Sequence, residues 1–333
     1  MKSLTLPVAT LALAAGLAGP AAAVDIKISS WAPPTHPINS QMFPTWGNCV
    51  KEGTKGAVTW KIEYNLAPPP AQFNVVRKGI GDVAWIFHGY NAGRYVATKI
   101  VELPGLGTSA TAASVAYWRT HQKYLEKLNE HRGIRLIGLM SHGPGVLQSN
   151  KKITSLSQLK GMKLRLPGGV ATDVFTKFGT VPVKVPAPKV YEVVSTGVAD
   201  GVVMPIETQK SFKLHEVAKN VIEMPGGFYY GSFAIIMNPR KYASLTKDQQ
   251  AAVDKCSGEN LSKVAGAAWD GADKAGRAQA GANVTTASDA MQKEFAPVAK
   301  KVTQDWFAEA KKKGLANPQE ALDFLRQQAK AYK

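Results

Sequence analysis

Short strand-like runs and helical patterns follow one another along the first third of the chain. Residues 25–30 and 58–64 alternate between apolar and polar side chains, which predicts two strands. Helical patterns cover 39–53 and 71–78, and the second leads to an apolar run over 82–87 that is typical of a buried parallel strand. This β-α-β-α-β order predicts an α/β domain.

The same order of elements occurs a second time, in the middle of the chain. The two units share one motif, Val-Val-x-x-Gly-(Ile/Val)-x-Asp, over 75–82 and 193–200. Its glycine stands where a helix needs a left-handed C-terminal residue, and its aspartate precedes a buried strand. The chain is therefore predicted to form two similar α/β lobes with a cleft between them. In the second unit, strand, helix, strand, helix and strand are predicted in turn over 162–166, 171–178, 181–185, 189–196 and 201–204.

The remaining segments predict connections between the lobes and a helical C-terminus. From residue 246 onward the pattern is helical, with breaks near Gly314 and Pro318. We expect lobe 1 to comprise 24–142 and about 230–269, and lobe 2 to comprise 143–229 and about 270–333. A long helix is predicted over 111–132, and apolar strands suited to crossing between lobes are predicted over 134–140, 146–149 and 232–237.

The first 23 residues predict a cleaved secretory signal peptide. Lys2 supplies a positive start, residues 4–17 form an apolar run without charge, and Ala21-Ala22-Ala23 satisfies the small-x-small rule for cleavage. The run is too short, and too interrupted by glycine and proline, for a transmembrane anchor. We therefore expect a periplasmic protein of about 310 residues, enough for two domains that each have a core.

The charge balance is strongly basic, with 41 Lys and Arg against 24 Asp and Glu. The net charge is +17, and removal of Lys2 with the signal leaves +16. A secreted protein without a nucleic-acid-binding motif is not expected to bind nucleic acid. Either the positive field favours encounter with anionic ligands, or the charge serves solubility alone.

Motifs for catalysis and for metal or nucleotide binding are absent from the sequence. It has no Gly-x-Ser-x-Gly, no phosphate-binding glycine loop and no His-Glu-x-x-His, so we predict no catalytic residue, no metal, no cofactor and no enzyme. The two cysteines, Cys49 and Cys256, are in a compartment that permits disulfides. They either pair or form two separate buried thiols.

Arg165 is the most informative residue of the second unit. It stands at the C-terminal end of a predicted strand, just before a Pro-Gly-Gly turn into a helix. Ligands of parallel α/β sheets bind outside such strand ends, and the helix N-terminus adds free N–H donors. A guanidinium there can hold a carboxylate through two parallel hydrogen bonds. The alternative is an ion pair between Arg165 and an internal Asp or Glu.

Two histidines are candidates for the predicted cleft, and two others are not. His36 and His88 lie in loops after first-lobe strands, where ligands commonly bind, so both are candidate ligand contacts. His121 and His131 lie in and just after a polar helix and are expected on the surface.

Four motifs of the chain after the signal form a specific set. They are Ser-Leu-x-x-Leu-Lys-Gly-x-Lys-x-Arg-x-Pro over 155–167, Phe-Gly-x-x-Pro-Val over 178–183, Val-Tyr-Glu-x-x-x-Thr-Gly-Val-x-Asp-Gly over 190–201 and Asn-Pro-x₅-Ser-Leu-Thr-x₃-Gln over 238–250. In these motifs the chain resembles the solute receptors of tripartite ATP-independent periplasmic (TRAP) transporters. The resemblance covers essentially the whole chain after the signal and is strongest over 155–205.

The resemblance implies a fold and a function. The fold is α/β, a two-lobed periplasmic binding protein (type II-like) with a cleft between lobes and a long C-terminal helical region. The implied function is a monomeric receptor in which Arg165 forms a salt bridge to an organic acid. The receptor then delivers the acid to two membrane subunits driven by an ion gradient. Alternatives are the binding protein of an ATP-driven transporter or of a periplasmic sensory system.

Two departures from the family narrow the ligand. Sialic-acid receptors of the family carry a second Arg where this chain has Gly145, and an Asn where it has Met204. A sugar with many hydroxyls is therefore not the expected ligand. We expect instead an apolar or aromatic 2-oxo or hydroxy monocarboxylate. Glu207 and Gln209 are candidates to bond a hydroxyl or keto group. The aromatic and apolar candidates for the cleft walls are Trp31, Trp85, Phe87, Met204, Phe228, Tyr229 and Tyr230.

Overall fold

The computed structural model describes residues 23–332. The predicted signal segment 1–23 lies outside the described residues, apart from Ala23. Among residues 23–332, no helix is long and apolar enough to cross a membrane. The described helices are α1 Phe43–Gly53, α2 Gln72–Lys78, α3 Ala110–Thr120, α4 Gly169–Thr176, α5 Val190–Ser195, α6 Thr208–Ser211, α7 Pro239–Ala243, α8 Lys247–Cys256, α9 Glu259–Ala280, α10 Asp289–Lys312 and α11 Pro318–Ala331.

Two mixed sheets form the centres of two lobes, which confirms the predicted two-lobed α/β class. The first sheet contains β1 Val24–Ser30, β2 Val58–Tyr64, β3 Val83–Phe87, β4 Arg135–Met140 and β10 Phe233–Met237. Its order is β2-β1-β3-β10-β4. The strands of the first unit are parallel, whereas β10, one of the predicted crossing strands, is antiparallel to both β3 and β4.

The second sheet has the order β11-β9-β5-β8-β6-β7. β6 is parallel to β7 and β8, and the crossing strand β5 is antiparallel to β8 and β9. The sequence patterns did not predict β9 and β11, which are short and belong to neither repeated unit. The strands are β5 Gly145–Ser149, β6 Lys163–Arg165, β7 Val181–Val183, β8 Gly201–Pro205, β9 Asn220–Glu223 and β11 Val284–Thr286.

The repeated motif has the same role in both lobes. Gly79 and Gly197 end α2 and α5 with φ values of 76° and 73°, in the left-handed region that glycine adopts most easily. The carboxylate of Asp82 accepts a bond from the N–H of Lys27 in the middle of β1, at 2.9 Å. Asp200 accepts the equivalent bond from the N–H of Lys163 in β6, also at 2.9 Å. Each aspartate therefore fixes the strand next to its own.

Helix α3 is shorter than the predicted helix over 111–132. It begins with Ser109, whose side chain accepts a bond from the N–H of Ala112, and its regular turns end at Thr120. A π-helical turn and a 3₁₀ turn follow, and Asn129 ends them in the left-handed region. The sequence pattern did not separate these turns from the α-helix, because the backbone stays helical without a break up to Asn129.

Helix α9 connects the two lobes. The carboxylate of Asp270 accepts bonds from the N–H groups of Ala110 and Thr111 at the start of α3, which belongs to the first lobe. One turn later, Asp273 accepts a bond from the N–H of Glu207, which follows β8 of the second lobe. The predicted assignment of 270–333 to the second lobe stays a prediction, because only β11 of that segment joins a sheet.

Cys49 and Cys256 form a disulfide between the C-terminal ends of α1 and α8. Of the two alternatives that the sequence left open, the structure therefore has the paired form. The bridge closes a loop with a sequence separation of 207 residues. Both helices belong to the first lobe, so the bridge joins two parts of that lobe that are far apart in sequence.

Reduction of this disulfide should strongly destabilise the protein. In the chain-entropy model, a crosslink that closes a loop of this length stabilises the folded state by about 5 kcal/mol. We expect the midpoint of thermal unfolding to fall when a reductant is added. A Cys49→Ser/Cys256→Ser double variant should unfold at the lower midpoint with or without the reductant. Equal midpoints for the oxidised and reduced wild-type protein would contradict the prediction.

Candidate functional site

A narrow cavity lies between the lobes, where the C-terminal ends of the parallel strands meet. β1 leads to it through Trp31, and β3 and β6 end at it with Phe87 and Arg165. Aromatic rings and histidines dominate the wall. The lining residues are Trp31, His36, Trp85, Phe87, Tyr90, His142, Arg165, Pro167, Ala187, Met204, Pro205, Glu207, Phe212, Tyr229, Phe233 and Trp269.

The guanidinium of Arg165 is buried and only partly bonded. The residue is 1% exposed. Its Nε donates to the carbonyl of Val185 at 3.0 Å, and Nη2 donates to the hydroxyl of Tyr90 at 3.3 Å. Nη1 has no partner among residues 23–332, and none of their carboxylates pairs with Arg165. The alternative of an internal ion pair is therefore wrong, and the buried charge has room for an anion from outside the chain.

Local structure holds Arg165 in this place. β6 lies between β7 and β8, with Arg165 opposite Val183 and Val202, and the Asp200 cap fixes its first residue. The chain then turns into α4 through Gly168 and Gly169, whose φ values are 104° and 58°. A Cβ at Gly168 would collide with the carbonyl of Gly89 in the other lobe. Glycine is therefore required where the lobes touch.

Flat rings form a slot beside the guanidinium. Trp31 and Trp85 stack with their ring centres 3.9 Å apart, and the indole N–H of Trp85 donates to the hydroxyl of Ser30 at 2.9 Å. Phe87 and Phe233 pack with centres 5.0 Å apart. Because aromatic rings pack favourably against one another in stacked or edge-on contacts, this wall suits a ligand that has an aromatic body.

Two neutral histidines supply polar atoms. Burial lowers the pKa of His36 to about 3 and that of His142 to about 4, so both rings are uncharged at neutral pH. Nδ1 of His36 accepts a bond from the N–H of Ile38 at 3.3 Å, which leaves the ring proton on Nε2. Nδ1 of His142 lies 2.6 Å from the carbonyl of Gly143 and must donate, which leaves Nε2 as an acceptor.

Glu207 is a buried carboxyl at the same cavity. Its pKa is raised to about 8, mainly because burial disfavours the charged form; the bond from the Ser211 hydroxyl lowers the pKa and the nearby Asp273 raises it. The pKa of Asp273 is itself raised to about 7, mainly by burial. Glu207 is therefore largely protonated at pH 7. Among the described lining residues, Arg165 then carries the dominant charge at that pH.

Eight of the twelve predicted site residues line this cavity. They are Arg165, Trp31, His36, Trp85, Phe87, Met204, Glu207 and Tyr229. Their contact with a ligand stays a prediction. The other four, which do not line the cavity, are His88, Gln209, Phe228 and Tyr230. The structure gives a reason for each.

His88 points away from the cavity because it follows Phe87 directly, and successive side chains of an extended segment alternate. Its Nδ1 lies 2.6 Å from the Ser232 hydroxyl and its Nε2 lies 3.0 Å from Nε2 of His131. Burial lowers the pKa of His88, His121 and His131, whose rings lie close together. The expectation that His121 and His131 are surface residues is therefore wrong, since both are buried.

Gln209 also points into the interior of its own lobe, where its amide nitrogen donates to Gln148 Oε1 at 2.7 Å. Phe228 packs against two phenylalanines of the second lobe, with ring centres 5.2 and 5.1 Å away. The hydroxyl of Tyr230 bonds the backbone of Thr108. In this aromatic run only the middle residue, Tyr229, lines the cavity, again because alternate side chains face opposite ways.

Sequence reasoning missed several lining residues. Tyr90 lies two positions after His88 in the same loop, so its position after a strand was the signal that could have found it. His142 lies in the crossing segment between β4 and β5. Phe212 and Trp269 come from helical segments, and Phe233 opens a crossing strand. No pattern marks these three, since their place depends on how the lobes meet.

Within the part of the chain that the structure describes, no group of three or more His, Cys, Asp or Glu side chains could hold a metal ion. The polar groups of the described lining residues include one guanidinium, two neutral imidazoles, one carboxyl group, the hydroxyls of Tyr90 and Tyr229, and the indole N–H of Trp269, which has no partner among residues 23–332. This set can hold one carboxylate and a neutral polar group. The fold and site thus define a class: a two-lobed receptor for a small anionic solute.

Comparison with known proteins gives the family. Residues 28–310 match the family described as bacterial extracellular solute-binding protein, family 7. The chain is 31% identical over 329 residues to the outer membrane transporter protein TsaT of Comamonas testosteroni, with 97% of each chain covered. The chain therefore belongs to solute-binding protein family 7, the receptors of TRAP transporters, as its motifs predicted.

Solved structures support the same assignment. A TRAP periplasmic solute-binding protein from Bordetella bronchiseptica, with bound (R)- and (S)-mandelate, is 37% identical to this chain. Its TM-score is 0.90, and the match covers 93% of this chain and all of the other. A marine metagenome TRAP protein specific for aromatic acids, in complex with 3-hydroxybenzoate, is 29% identical, with a TM-score of 0.86 and coverage of 94% and 99%.

The raised pKa of Glu207 predicts a pH effect on stability. The folded protein keeps a proton on Glu207 that the unfolded chain has lost above pH 6, so this group lowers the free energy of unfolding as pH rises toward 8. Glu207→Gln removes the effect. Between pH 6.5 and 8.5, the difference in unfolding free energy between variant and wild type should move by about 2 kcal/mol in favour of the variant.

Chemical denaturation at several pH values measures this difference. The buried histidines contribute equally to both proteins, so their titration cancels. Glu52→Gln, at an exposed position of α1, is the matched control and should show a difference that does not change with pH. A pH-independent difference for Glu207→Gln as well would contradict a protonated Glu207.

Proposed function

We propose that this protein captures an aromatic monocarboxylate in the periplasm and delivers it to the membrane subunits of a TRAP transporter. The observation that carries the ligand class is Nη1 of Arg165, a buried donor without a partner among the described residues. A carboxylate there completes the hydrogen bonds of the guanidinium and neutralises its charge. The lobes close on the bound acid, because the ligand binds the closed state more tightly than the open one.

The rest of the cavity supports an aromatic body with one further polar group. The indole pair of Trp31 and Trp85 offers a flat face to a ring. Glu207 and the two histidines are polar but mostly uncharged at neutral pH, so they suit a neutral hydroxyl or keto group. Mandelate, an aromatic 2-hydroxy acid bound by the Bordetella protein, has each of these parts.

The finer points of the proposal follow from the same receptor role. The signal peptide is cleaved near Ala23, and the protein acts as a monomer that neither catalyses a reaction nor binds nucleic acid. Its basic surface favours encounter with anionic solutes. The polar groups of the cavity bind the ligand without changing it: none of its described lining residues is a serine, threonine, cysteine or lysine that could act as a nucleophile.

Removal of the Arg165 guanidinium should abolish tight binding. Arg165→Ala should weaken the affinity for mandelate or 3-hydroxybenzoate at least 100-fold, which corresponds to about 2.7 kcal/mol. Arg165→Lys keeps the charge but loses the planar fork, and should weaken binding about tenfold or more. Lys163→Ala, on an exposed side chain of the same strand, is the control and should bind as the wild type does.

Isothermal titration calorimetry measures these affinities, and a thermal-shift screen of carboxylic acids comes first. A ligand at 100 times its dissociation constant stabilises the folded state by about 2.7 kcal/mol. If both Arg165 variants bind the acid with wild-type affinity, Arg165 is not the anchor. If no aromatic acid shifts the unfolding of the wild-type protein, the ligand class itself is wrong.

The cavity should reject a second carboxylate. Among its described lining residues, Arg165 is the only lysine or arginine, and Glu207 lies on the same wall. A second buried carboxylate would have no cationic partner, which costs several kcal/mol. We expect isophthalate, in which a carboxylate replaces the hydroxyl of 3-hydroxybenzoate, to bind at least 100-fold more weakly in a calorimetric competition. Comparable affinities would show that a second cationic site exists.

A further inference from the structure

Tyr90 is the residue through which the first lobe reaches Arg165. It lies in the 3₁₀ turn His88–Asn91 that follows β3 of the first sheet. Its hydroxyl accepts a bond from the N–H of Ala187 at 2.9 Å and another from Nη2 of Arg165 at 3.3 Å. Ala187 and Arg165 both belong to the second lobe. One phenol oxygen therefore holds two donors from the opposite lobe.

The hydrogen of this hydroxyl has no acceptor within residues 23–332. Both lone pairs of the Tyr90 oxygen are used by Ala187 and Arg165, so the hydroxyl can only donate in a third direction. Tyr90 lines the cavity, and its oxygen lies at the guanidinium. A carboxylate bonded to Nη1 of Arg165 would thus lie beside a free O–H donor.

The ring of Tyr90 is held by the aromatic wall. It meets Phe87 edge-on with ring centres 5.1 Å apart and meets Trp31 in a similar way at 6.5 Å. Tyr90 and Pro167 also line a second, outer cavity of about 860 Å³, so these two residues form the wall between it and the inner cavity. Beside this wall, the backbones of Gly89 and Gly168 touch across the lobes.

We infer that Tyr90 is a ligand-contacting latch: its hydroxyl donates to the bound carboxylate while it holds Ala187 and Arg165, so that it couples occupancy of the site to closure of the lobes. The inference rests on the proposed function for the identity of the ligand. A hydroxyl that donates to an anion becomes a stronger acceptor for its own donors, so the carboxylate strengthens the two bonds between lobes. Without the ligand, the two bonds are weaker, so the closed arrangement of the lobes is less populated than in the complex.

The test compares Tyr90→Phe with wild type, and uses Tyr64→Phe as the matched control. Tyr64 ends β2 away from both cavities, and its hydroxyl has no hydrogen bond to residues 23–332. Thermal unfolding first shows that both variants are folded. The first measurement is amide hydrogen exchange of Ala187 in the ligand-free protein. Because Pro186 and Pro188 have no N–H, the Ala187 amide is isolated in this segment.

The second measurement is the dissociation rate of mandelate by stopped flow. We expect Tyr90→Phe to speed exchange at Ala187 and to raise the mandelate dissociation rate about tenfold or more, as for a lost hydrogen bond to a charged group. Tyr64→Phe should leave both unchanged. If the Ala187 amide of Tyr90→Phe exchanges at the wild-type rate, Tyr90 does not hold the two lobes together. Faster exchange with an unchanged dissociation rate would overturn its coupling to the ligand.

These outcomes separate the latch from the proposed function. If mandelate and 3-hydroxybenzoate fail to bind the wild-type protein, the proposed ligand class fails and the ligand contact of Tyr90 fails with it. The exchange rate of Ala187 still decides whether Tyr90 holds the lobes together, because that measurement needs no ligand.

Discussion

A buried, incompletely bonded charge governs this structure. Arg165 is buried and has one guanidinium nitrogen without a partner among the described residues. Because a buried charge is costly unless other groups neutralise and bond it, this guanidinium favours an anion in the cavity. The Asp200 cap on β6 and the glycine turn into α4 hold the guanidinium in place. The aromatic wall then decides which anion fits.

The two lobes share the repeated motif but contribute different residues to the cavity. Lys27 and Lys163 are bonded in the same way by the aspartates of the repeated motif. Two residues further along, the first lobe has Ser29 and the second has Arg165. Ser29 bonds inward to Gln72, whereas Arg165 faces the cavity. Equivalent strand positions thus face the interior in the first lobe and the cavity in the second, and the first lobe contributes most of the aromatic wall instead.

Periodicity and one motif were enough to predict the lobes, the repeated units and Arg165, because these depend on local spacing and on strand ends. The same reasoning placed Phe87 at the cavity and failed for its neighbour His88, since alternation sends adjacent side chains to opposite faces. It also failed to find Trp269 on α9, whose position depends on the angle at which the lobes meet. The sequence pattern also did not reveal that His121 and His131 are buried, because a polar helix surface becomes interior once another element covers it.

The touching backbones of Gly89 and Gly168 set a limit on the ligands that this receptor can enclose. Side chains can shift to fit a larger guest, but two main chains in van der Waals contact cannot move closer. The contact therefore sets the smallest separation that the closed lobes can reach, whatever lies between them. A small acid leaves the stop unchanged and gains fewer contacts, whereas an acid too large for the slot holds the glycines apart. Selection by size is thus built into the main chain, independently of the charge that draws the acid in.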